Sequence, residues 1–245
     1  PGRPNAPTSR ARRSVAMGWI LESVFPTVGV FTSNMLYFAP YPAVTRVRKT
    51  HSLQGVNAVP FALMLLSTVS WMAYGLAVPN PYIVASNLPG VVVSAWYVSS
   101  SLPLAPRGEG RAQLEGILVG GAASLAVEFT AVRFLAAEAQ RAGILGLCAT
   151  LLCVVLFASP LSTIAEVVRT RNSATILGPL TAAQCSNCAL WTFYGLAIMD
   201  VWVWGPNSAG LLLGLAQLAL RCLFPSESPD VHEVEALSNP TAEVT

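Results

Sequence analysis

The sequence predicts an all-α membrane protein in which seven transmembrane helices form two parallel three-helix repeats joined by one linker helix (3+1+3). Composition is the first evidence: 53% of the 245 residues are hydrophobic and 11% are charged, whereas a soluble domain carries roughly 25% charged residues. The charges are also unevenly placed, because no Asp, Glu, Lys, Arg or His occurs between His51 and Arg107 or from Asn172 to Met199. An uncharged apolar run of about 20 residues is long enough for a helix to cross a bilayer.

An internal repeat is the other main observation. When the chain is compared with itself at an offset of 120 residues, identical residues align without a gap, although the aliphatic positions between them match poorly. A fixed offset indicates two copies of one structural unit, and we expect the two copies to form one site between them. The aligned identities are Pro40 with Pro160, Trp71 with Trp191, Tyr74–Ala77 with Tyr194–Ala197, Asn87 with Asn207 and Gly90 with Gly210.

Seven spans are predicted in chain order, and the fourth is unlike the others. It is rich in Gly and Ala, carries Glu128 and Arg133, and has no counterpart in either repeat. Three spans per repeat would invert the second copy, so this extra span restores the direction and makes the repeats parallel. The predicted spans cover about residues 23–44, 56–78, 82–102, 114–136, 142–165, 176–199 and 201–220. The corresponding regions are a polar N-terminal segment (1–22), a first repeat (23–103), the linker helix region (104–141), a second repeat (142–224) and a disordered cytoplasmic tail (225–245).

Basic residues in the short loops predict the orientation, because cytoplasmic loops carry an excess of Lys and Arg. The N-terminus is therefore predicted outside and the C-terminus inside. The plasma membrane is the predicted location, and an internal membrane is the alternative. Arg10, Arg12 and Arg13 contradict this orientation, and a native start at Met17 would remove the conflict. The basic residues on the predicted cytoplasmic side are Arg46, Arg48, Lys49, Arg107, Arg111, Arg169, Arg171 and Arg221.

Two asparagines and two tryptophans are the candidate ligand-binding residues. Counting about 1.5 Å per residue from the turns, Asn87, Asn207, Trp71 and Trp191 fall at similar depths in the outer half of the bilayer. One interpretation is that the amides only join helices. The duplication favours a pocket, in which an amide hydrogen-bonds hydroxyl groups and an indole packs on a pyranose ring.

The spacing of charges predicts a neutral, uncoupled pathway. A proton-coupled carrier needs a titratable group in its path, and neither repeat has a charged residue in its membrane interior. The remaining candidates, Glu128 and Arg133, lie on the linker span. Pro40 and Pro160 lie near the cytoplasmic ends of spans one and five, where proline kinks a helix. Such kinks are either static or allow the inner ends to move.

The chain is predicted not to be an enzyme, and no metal, cofactor or nucleic-acid partner is expected. It has no G-x-S-x-G, H-E-x-x-H or phosphate-loop motif. Cys185-x-x-Cys188 has the spacing of a redox pair, but we interpret it as two small residues packing in a membrane helix.

Taken together, these motifs resemble the SWEET sugar transporters of the MtN3/saliva type, in the PQ-loop-like superfamily, over about Thr27 to Leu220. SWEETs are parallel-repeat transporters. In the first repeat the resemblance is carried by Ala39-Pro40, the basic turn from Arg46 to Lys49, Tyr74-Gly75-Leu76 and Ser86-Asn87. In the second it is carried by Ala158-Ser159-Pro160-Leu161-Ser162, Trp191-x-x-Tyr194-Gly195-Leu196 and Pro206-Asn207.

The resemblance implies uniport of mono- or disaccharides, of the glucose, fructose or sucrose class, in both directions by alternating access. Hinge roles are implied for Pro40, Pro60 and Pro160, whereas the family's fourth proline falls near Leu177 and the proline here is Pro179. Tyr74 and Asp200 match residues of the family's outer gate, and a phenol can donate a hydrogen bond to a carboxylate. The implied sugar-binding residues are Asn87, Asn207, Trp71, Trp191, Ser33, Leu36, Ser67, Cys153, Leu156 and Asn187.

Two other functions remain as alternatives. A transporter of another neutral solute, or of amino acids, would use the same fold, but an amino-acid carrier would need a charged or titratable pocket residue. A seven-span receptor is the second alternative, and the 120-residue period argues against it. The sequence leaves open which sugar is carried and whether the protein forms a homo-oligomer.

Overall fold

The computed structural model describes residues 17–53, 55–224 and Ser226, and within them every regular element is helical. The segment 1–16 and, apart from Ser226, the tail 225–245 lie outside the described residues, together with the predictions made for them. Short π-helical turns occupy Ile20–Val24 and Ala131–Leu135, and a 3-10 turn occupies Leu102–Leu104. The α-helices are α1 (Phe25–Phe38), α2 (Tyr41–Thr50), α3 (Val59–Ala77), α4 (Pro81–Ser101), α5 (Glu109–Thr130), α6 (Glu138–Leu156), α7 (Ala158–Thr170), α8 (Gly178–Ala197) and α9 (Val201–Leu223).

The first helix of each repeat is broken close to the proline at which a kink is predicted, so each of the predicted spans 23–44 and 142–165 consists of two α-helices. In the first repeat the break lies at Ala39 and Pro40, between α1 and α2. Proline has no N–H to donate to the carbonyl four residues earlier. The chain instead closes a tighter turn, in which the Ala39 N–H donates to the Leu36 carbonyl at 3.2 Å.

The second break lies at Phe157, between α6 and α7. Pro160 is in the first turn of α7, where it cannot donate to the carbonyl of Leu156. The two junction residues, Pro40 and Phe157, have similar backbone angles, with ψ of −9° and −13°. Seven predicted spans therefore become nine α-helices in the described part of the chain.

The two repeats pack in the same way. Within the first, α4 lies between α1 and α3; within the second, α9 packs against α8, α7 and α6. The repeats meet through two equivalent contacts, α1 with α8 and α3 with α6. Helix α5 packs on α3 and only slightly on α6, and 6% of its most apolar window is buried. It is therefore a linker on the outside of the bundle.

One end of the bundle, called the turn end here, is formed by the three-residue turns Val78–Asn80 and Ile198–Asp200. Asn80 caps α4 by accepting hydrogen bonds from the N–H groups of its first turn, and Asp200 caps α9 in the same way. Gly75 and Gly195 bring the helices before these turns very close to the helices after them. A Cβ at Gly195 would lie 2.6 Å from the backbone nitrogen of Trp204.

The opposite end carries the basic loop residues and is called the basic end. The guanidinium of Arg48 lies over the Trp96 ring, and that of Arg171 over the Phe224 ring. Within the described residues, four helical segments are long and apolar enough to cross a membrane: Val59–Ala77, Pro81–Leu104, Glu109–Leu135 and Glu138–Thr170, of which the last includes the break at Phe157. The other predicted spans are interrupted by a break, as in α1 and α2, or carry polar residues that face the interior, as in α8 and α9.

Candidate functional site

A cavity of about 840 Å³ lies between the two repeats. Its wall comes from α1, α3, α4 and from α6 to α9, whereas no described residue of α2 or α5 lines it. The cavity continues past the two tryptophans to Pro40, Pro160 and Gln217 near the basic end. All ten sequence-predicted pocket residues lie in its wall: Ser33, Leu36, Ser67, Trp71, Asn87, Cys153, Leu156, Asn187, Trp191 and Asn207.

The two indoles are held by hydrogen bonds that cross between the repeats. Trp191 donates its Nε1–H to Ser33 Oγ at 3.0 Å, and Trp71 donates to Cys153 Sγ at 3.3 Å. Ser33 and Cys153 are themselves separated by the repeat offset of 120 residues. Each tryptophan is therefore fixed by the first helix of the other repeat, and its ring orientation depends on both halves being in place.

Asn187 of α8 makes two further hydrogen bonds with α1. Asn187 Oδ1 accepts from Ser33 Oγ at 2.9 Å and from Thr32 Oγ1 at 2.7 Å. The residues at the equivalent positions of the first and second repeats are Ser67 for Asn187 and Cys153 for Ser33.

The repeat-equivalent asparagines Asn87 and Asn207 are arranged differently in the cavity wall. Asn87 is buried, and its Nδ2 donates to the Ile83 carbonyl at 2.8 Å and to Ser86 Oγ at 3.0 Å. Its Oδ1 accepts from Tyr37 Oη at 3.2 Å. Asn207 is half-buried and donates from Nδ2 to the Val203 carbonyl at 2.8 Å. Within the described residues, Asn207 Oδ1 has no hydrogen-bond partner.

Hydrogen bonds between the repeats close the turn end. Tyr74 Oη donates to Asp200 Oδ2 at 2.7 Å, so the predicted partners are in contact. A second bond of this kind was missed by the sequence reasoning: Asn80 Nδ2 donates to Tyr194 Oη at 2.6 Å. The signal was present, because adding the 120-residue offset to Tyr74 gives Tyr194, and subtracting it from Asp200 gives Asn80.

Apolar packing lies directly below these bonds. Ile83 and Val203, each 2% exposed, pack with the gate tyrosines and Trp191 in one buried cluster. Both residues also line the cavity. The cavity is consequently closed towards the turn end by hydrogen bonds and by a layer of apolar side chains.

The predicted hinge prolines occupy two kinds of position. Pro40 lies at the first helix break, Pro160 lies in the first turn after the second break, and both line the cavity. Pro60 and Pro179 are each the second residue of their helix, in α3 and α8. Pro60 lines the cavity, whereas Pro179 does not. Pro179 nonetheless has the same helical position as Pro60, and Leu177, where the resemblance placed the fourth proline, precedes the helix as its N-cap.

The cavity wall is uncharged. No Asp, Glu, Lys, Arg or His among the described residues lines it. Glu128 lies outside the cavity on α5, 9% exposed, and its Oε1 has no hydrogen-bond partner in the part of the chain that the structure describes. Arg133 places its guanidinium over the Phe134 ring. The site can bind a neutral polar molecule but offers no countercharge to an ion.

The cysteines of α8 pack as separate thiols. Cys185 and Cys188 are both buried and unbridged. Each faces a glycine of α9, since a Cβ at Gly214 would lie 2.5 Å from Cys185 Sγ and one at Gly210 would lie 3.1 Å from Cys188 Sγ. These contacts agree with the packing interpretation of the Cys-x-x-Cys spacing. Cys188 also reaches the cavity wall.

A bundle of two parallel three-helix repeats, around an uncharged cavity that is closed towards the turn end, defines a membrane transporter of the parallel-repeat class. The family model described as "Sugar efflux transporter for intercellular exchange" matches residues 23–107 and 143–228, once for each repeat. The chain belongs to this family, MtN3/saliva, and is an integral membrane protein.

Related proteins agree with this assignment. The chain is 30% identical over 212 residues to the bidirectional sugar transporter SWEET12 of Oryza sativa subsp. japonica, covering 85% of this chain and 71% of that relative. It is 27% identical over 222 residues to SWEET11 of Arabidopsis thaliana, covering 89% and 77%. These names are those of transporters, which confirms the predicted family and the prediction that the protein is not an enzyme.

A solved structure supports the fold. The structure of a eukaryotic SWEET transporter superposes with a TM-score of 0.72 at 24% identity, covering 82% of this chain and 97% of that one. The predicted all-α 3+1+3 arrangement is thereby confirmed, although the count of helices differs because of the two breaks.

Proposed function

We propose that this protein carries mono- or disaccharides through the membrane in both directions, down their concentration gradient. The names of its relatives, which are bidirectional sugar transporters, support sugar as the substrate class. The observation that carries the proposal is the uncharged cavity, which is lined by a pair of tryptophans and a pair of asparagines and closed at one end. Its volume falls within the range of about 300–1,000 Å³ typical of small-molecule sites.

The residues of the wall have complementary tasks in this proposal. The faces of Trp71 and Trp191 pack on the apolar face of a sugar ring, since their N–H groups are already engaged across the repeats. Amide and hydroxyl groups hydrogen-bond the sugar hydroxyls. Leu36 and Leu156 add apolar surface to the cavity wall. The full binding set is Ser33, Leu36, Ser67, Trp71, Asn87, Cys153, Leu156, Asn187, Trp191 and Asn207.

Alternating access needs one end to close as the other opens. We assign the gate at the turn end to the hydrogen-bonded pair Tyr74 and Asp200, together with a second pair, Tyr194 and Asn80. The breaks at Pro40 and at Phe157, one turn before Pro160, allow the ends of α2 and α7 to move towards each other at the basic end. Pro60 and Pro179, in the first turns of α3 and α8, complete the hinge set.

Transport is passive in this scheme. With no titratable carboxylate or imidazole in the described cavity wall, the substrate gradient is the driving force. The same wall offers no countercharge to the ammonium and carboxylate of an amino acid, so a neutral sugar fits it better.

Uptake of radiolabelled glucose, fructose and sucrose by cells lacking their own sugar transporters tests the proposal. We expect saturable uptake of at least one sugar, and efflux when the gradient is reversed. Asn207→Ala is expected to lose this uptake, whereas Ser208→Ala is the matched control, because the neighbouring Ser208 hydroxyl bonds the Gly205 carbonyl outside the cavity. Absence of uptake of every sugar, with normal amounts of protein in the membrane, would refute the proposed function.

The finer location also belongs to this proposal. We assign the protein to the plasma membrane with the basic end cytoplasmic, because Arg46, Arg48, Lys49, Arg169 and Arg171 all lie at that end. Antibody access to an epitope at the C-terminus, with and without permeabilisation, checks both points. Self-association is proposed without an assigned interface, and the mass of the purified protein in detergent decides it.

A further inference from the structure

We propose, on the basis of the sugar-transport function above, that Tyr37 and Phe157 make the two halves of the binding site chemically different, so that Asn207 both accepts from and donates to the sugar, whereas Asn87 can only accept from it. The two asparagines are equivalent in the repeat, yet their side chains have different partners. Asn207 is left able to accept from one hydroxyl and donate to its neighbour. The ligand class that this predicts is a sugar with a free vicinal diol, held in one orientation.

Tyr37 and Phe157 are equivalent in space as well as in sequence. They are separated by the 120-residue offset. A Cβ at Gly90 would lie 2.8 Å from Tyr37 ring carbons and 2.8 Å from Thr68 Cγ2. A Cβ at the equivalent glycine of the second repeat, Gly210, would lie 3.5 Å from the Phe157 ring and 3.1 Å from the Cys188 thiol. Both rings therefore pack on the glycine one turn after the asparagine.

The difference between the two rings is a hydroxyl group. Tyr37 uses it to donate to Asn87 Oδ1 at 3.2 Å. Phe157 has no hydroxyl, so Asn207 Oδ1 receives nothing from the ring beside it. Both rings and both asparagines line the cavity. A sugar hydroxyl can take at Asn207 the place that a tyrosine occupies at Asn87.

A second, independent difference acts in the same direction. Ser86 precedes Asn87 and accepts from its Nδ2 at 3.0 Å. The residue before Asn207 is Pro206, which has no side-chain acceptor. Asn207 Nδ2 donates one hydrogen to the Val203 carbonyl and keeps the other for a ligand. At Asn87 both amide hydrogens are used, by the Ile83 carbonyl and Ser86 Oγ, and Tyr37 takes one of the two lone pairs of Oδ1.

Because an amide that both accepts and donates matches two adjacent hydroxyls, the orientation of the sugar follows. Losing one neutral hydrogen bond changes affinity about 3- to 10-fold. The experiment uses three variants: Phe157→Tyr, which supplies the missing phenol; Pro206→Ser, which supplies the missing acceptor; and Tyr37→Phe, which removes the phenol at Asn87.

Half-saturation concentrations for uptake are measured for the parent sugar and for its series of mono-deoxy analogues, with the protein in the membrane quantified by surface labelling. In the wild type we expect one or two adjacent positions at which deoxygenation costs about 3- to 10-fold. Phe157→Tyr and Pro206→Ser should each raise the half-saturation concentration by about the same factor. Phe157→Tyr should reduce to less than about 2-fold the penalty at the hydroxyl that donates to Asn207 Oδ1, and Pro206→Ser the penalty at the hydroxyl that accepts from Nδ2. Tyr37→Phe should keep the penalty in full.

Tyr41→Phe is the control for loss of a phenol, since Tyr41 stacks on Trp96 outside the cavity. It should change neither quantity by more than about 2-fold. Sugar uptake with an unchanged penalty in both Phe157→Tyr and Pro206→Ser, or a penalty that disappears in Tyr37→Phe, would overturn the inference and leave the proposed function standing. Failure of the wild type to carry any sugar would overturn both.

Discussion

Removing the hydroxyl of Tyr74 is expected to shift the protein towards the conformation that is open at the turn end. Tyr74 is 2% exposed, and its hydroxyl donates to Asp200 at 2.7 Å, between two different repeats. Asp200 has a second task, because its other carboxylate oxygen caps α9 by accepting from the N–H groups of Trp202 and Val203. Tyr74→Phe therefore removes the bond between the repeats alone, whereas Asp200→Ala would also damage the helix start.

The size of the shift follows from the shielding of this bond. A hydrogen bond to a charged group contributes about 1.5–3 kcal/mol, and less when water reaches it. The bond between Tyr194 and Asn80 remains in the variant, and Asp200 is only half-buried, so we take the lower part of this range. A change of about 1.5–2 kcal/mol multiplies the ratio of turn-end-open to turn-end-closed protein by roughly 10 to 30.

Labelling of an introduced thiol measures this ratio. Ile83→Cys places that thiol in the apolar layer between the turn end and the cavity, where the native residue is 2% exposed. In a chain with Cys153→Ser and Cys188→Ser, a membrane-impermeant maleimide added at the turn end should label the thiol at position 83 roughly 10 to 30 times faster in Tyr74→Phe. Tyr82→Phe is the control, because the Tyr82 ring packs edge-on against Tyr194 but its hydroxyl has no partner in the described residues. Equal labelling rates in the Tyr74→Phe and Tyr82→Phe proteins would refute the gate assignment.

Three further predictions concern binding, coupling and packing. Asn87→Ala and Asn207→Ala are each expected to lower sugar uptake at least about tenfold at normal amounts of protein in the membrane. Asn207→Ala removes a ligand contact, and Asn87→Ala removes the group that accepts the hydrogen bond of Tyr37. Wild-type uptake in both variants would show that the two amides serve packing alone. Uptake should be insensitive to a protonophore and nearly flat between about pH 5 and 8, because the described cavity wall has no acid, base or histidine; a steep pH profile would bring Glu128 into the mechanism. Gly195→Ala should lower the unfolding temperature in detergent by at least about 3 °C, because its Cβ would lie 2.6 Å from the Trp204 nitrogen, whereas Gly205→Ala has open space around it and should stay within about 1 °C.

The repeat made much of the fold predictable. Positions duplicated at a fixed offset adopt equivalent places in equivalent helices, so identities such as Trp71 with Trp191 indicated both the number of repeats and their relation. Hydropathy located the spans, since a helix in lipid must satisfy its backbone internally and present apolar side chains. It did not locate the breaks. Pro160 disrupts the helix at a residue that precedes it, Phe157, because the hydrogen bond it removes belongs to the turn before.

The candidate site was less predictable where the repeats differ. A comparison of identities finds Asn87 and Asn207 but passes over Tyr37 and Phe157, which align as different residues. It also passes over Asn80 and Asp200, although they cap the equivalent helices α4 and α9. The sequence shows which positions are shared, whereas the hydrogen bonds that distinguish Asn87 from Asn207 depend on neighbours from other helices.

The turn end should open as one unit. Each gate bond joins the α3–α4 hairpin to the α8–α9 hairpin, Tyr74 to Asp200 and Asn80 to Tyr194. Each hairpin is stiff, because Gly75 lets α3 lie directly against Ile83 of α4, and Gly195 lets α8 lie against the backbone of Trp204 in α9.

Since the hairpins separate as rigid bodies, both bonds break in the same step and their free energies add in one equilibrium. The shift in the Tyr74→Phe/Tyr194→Phe protein is therefore expected to be the product of the two single shifts, measured as labelling of the thiol that Ile83→Cys introduces. Two bonds that opened separately would give a double variant whose acceleration is the sum of the two single effects and not their product, and that result would contradict the rigid-hairpin mechanism.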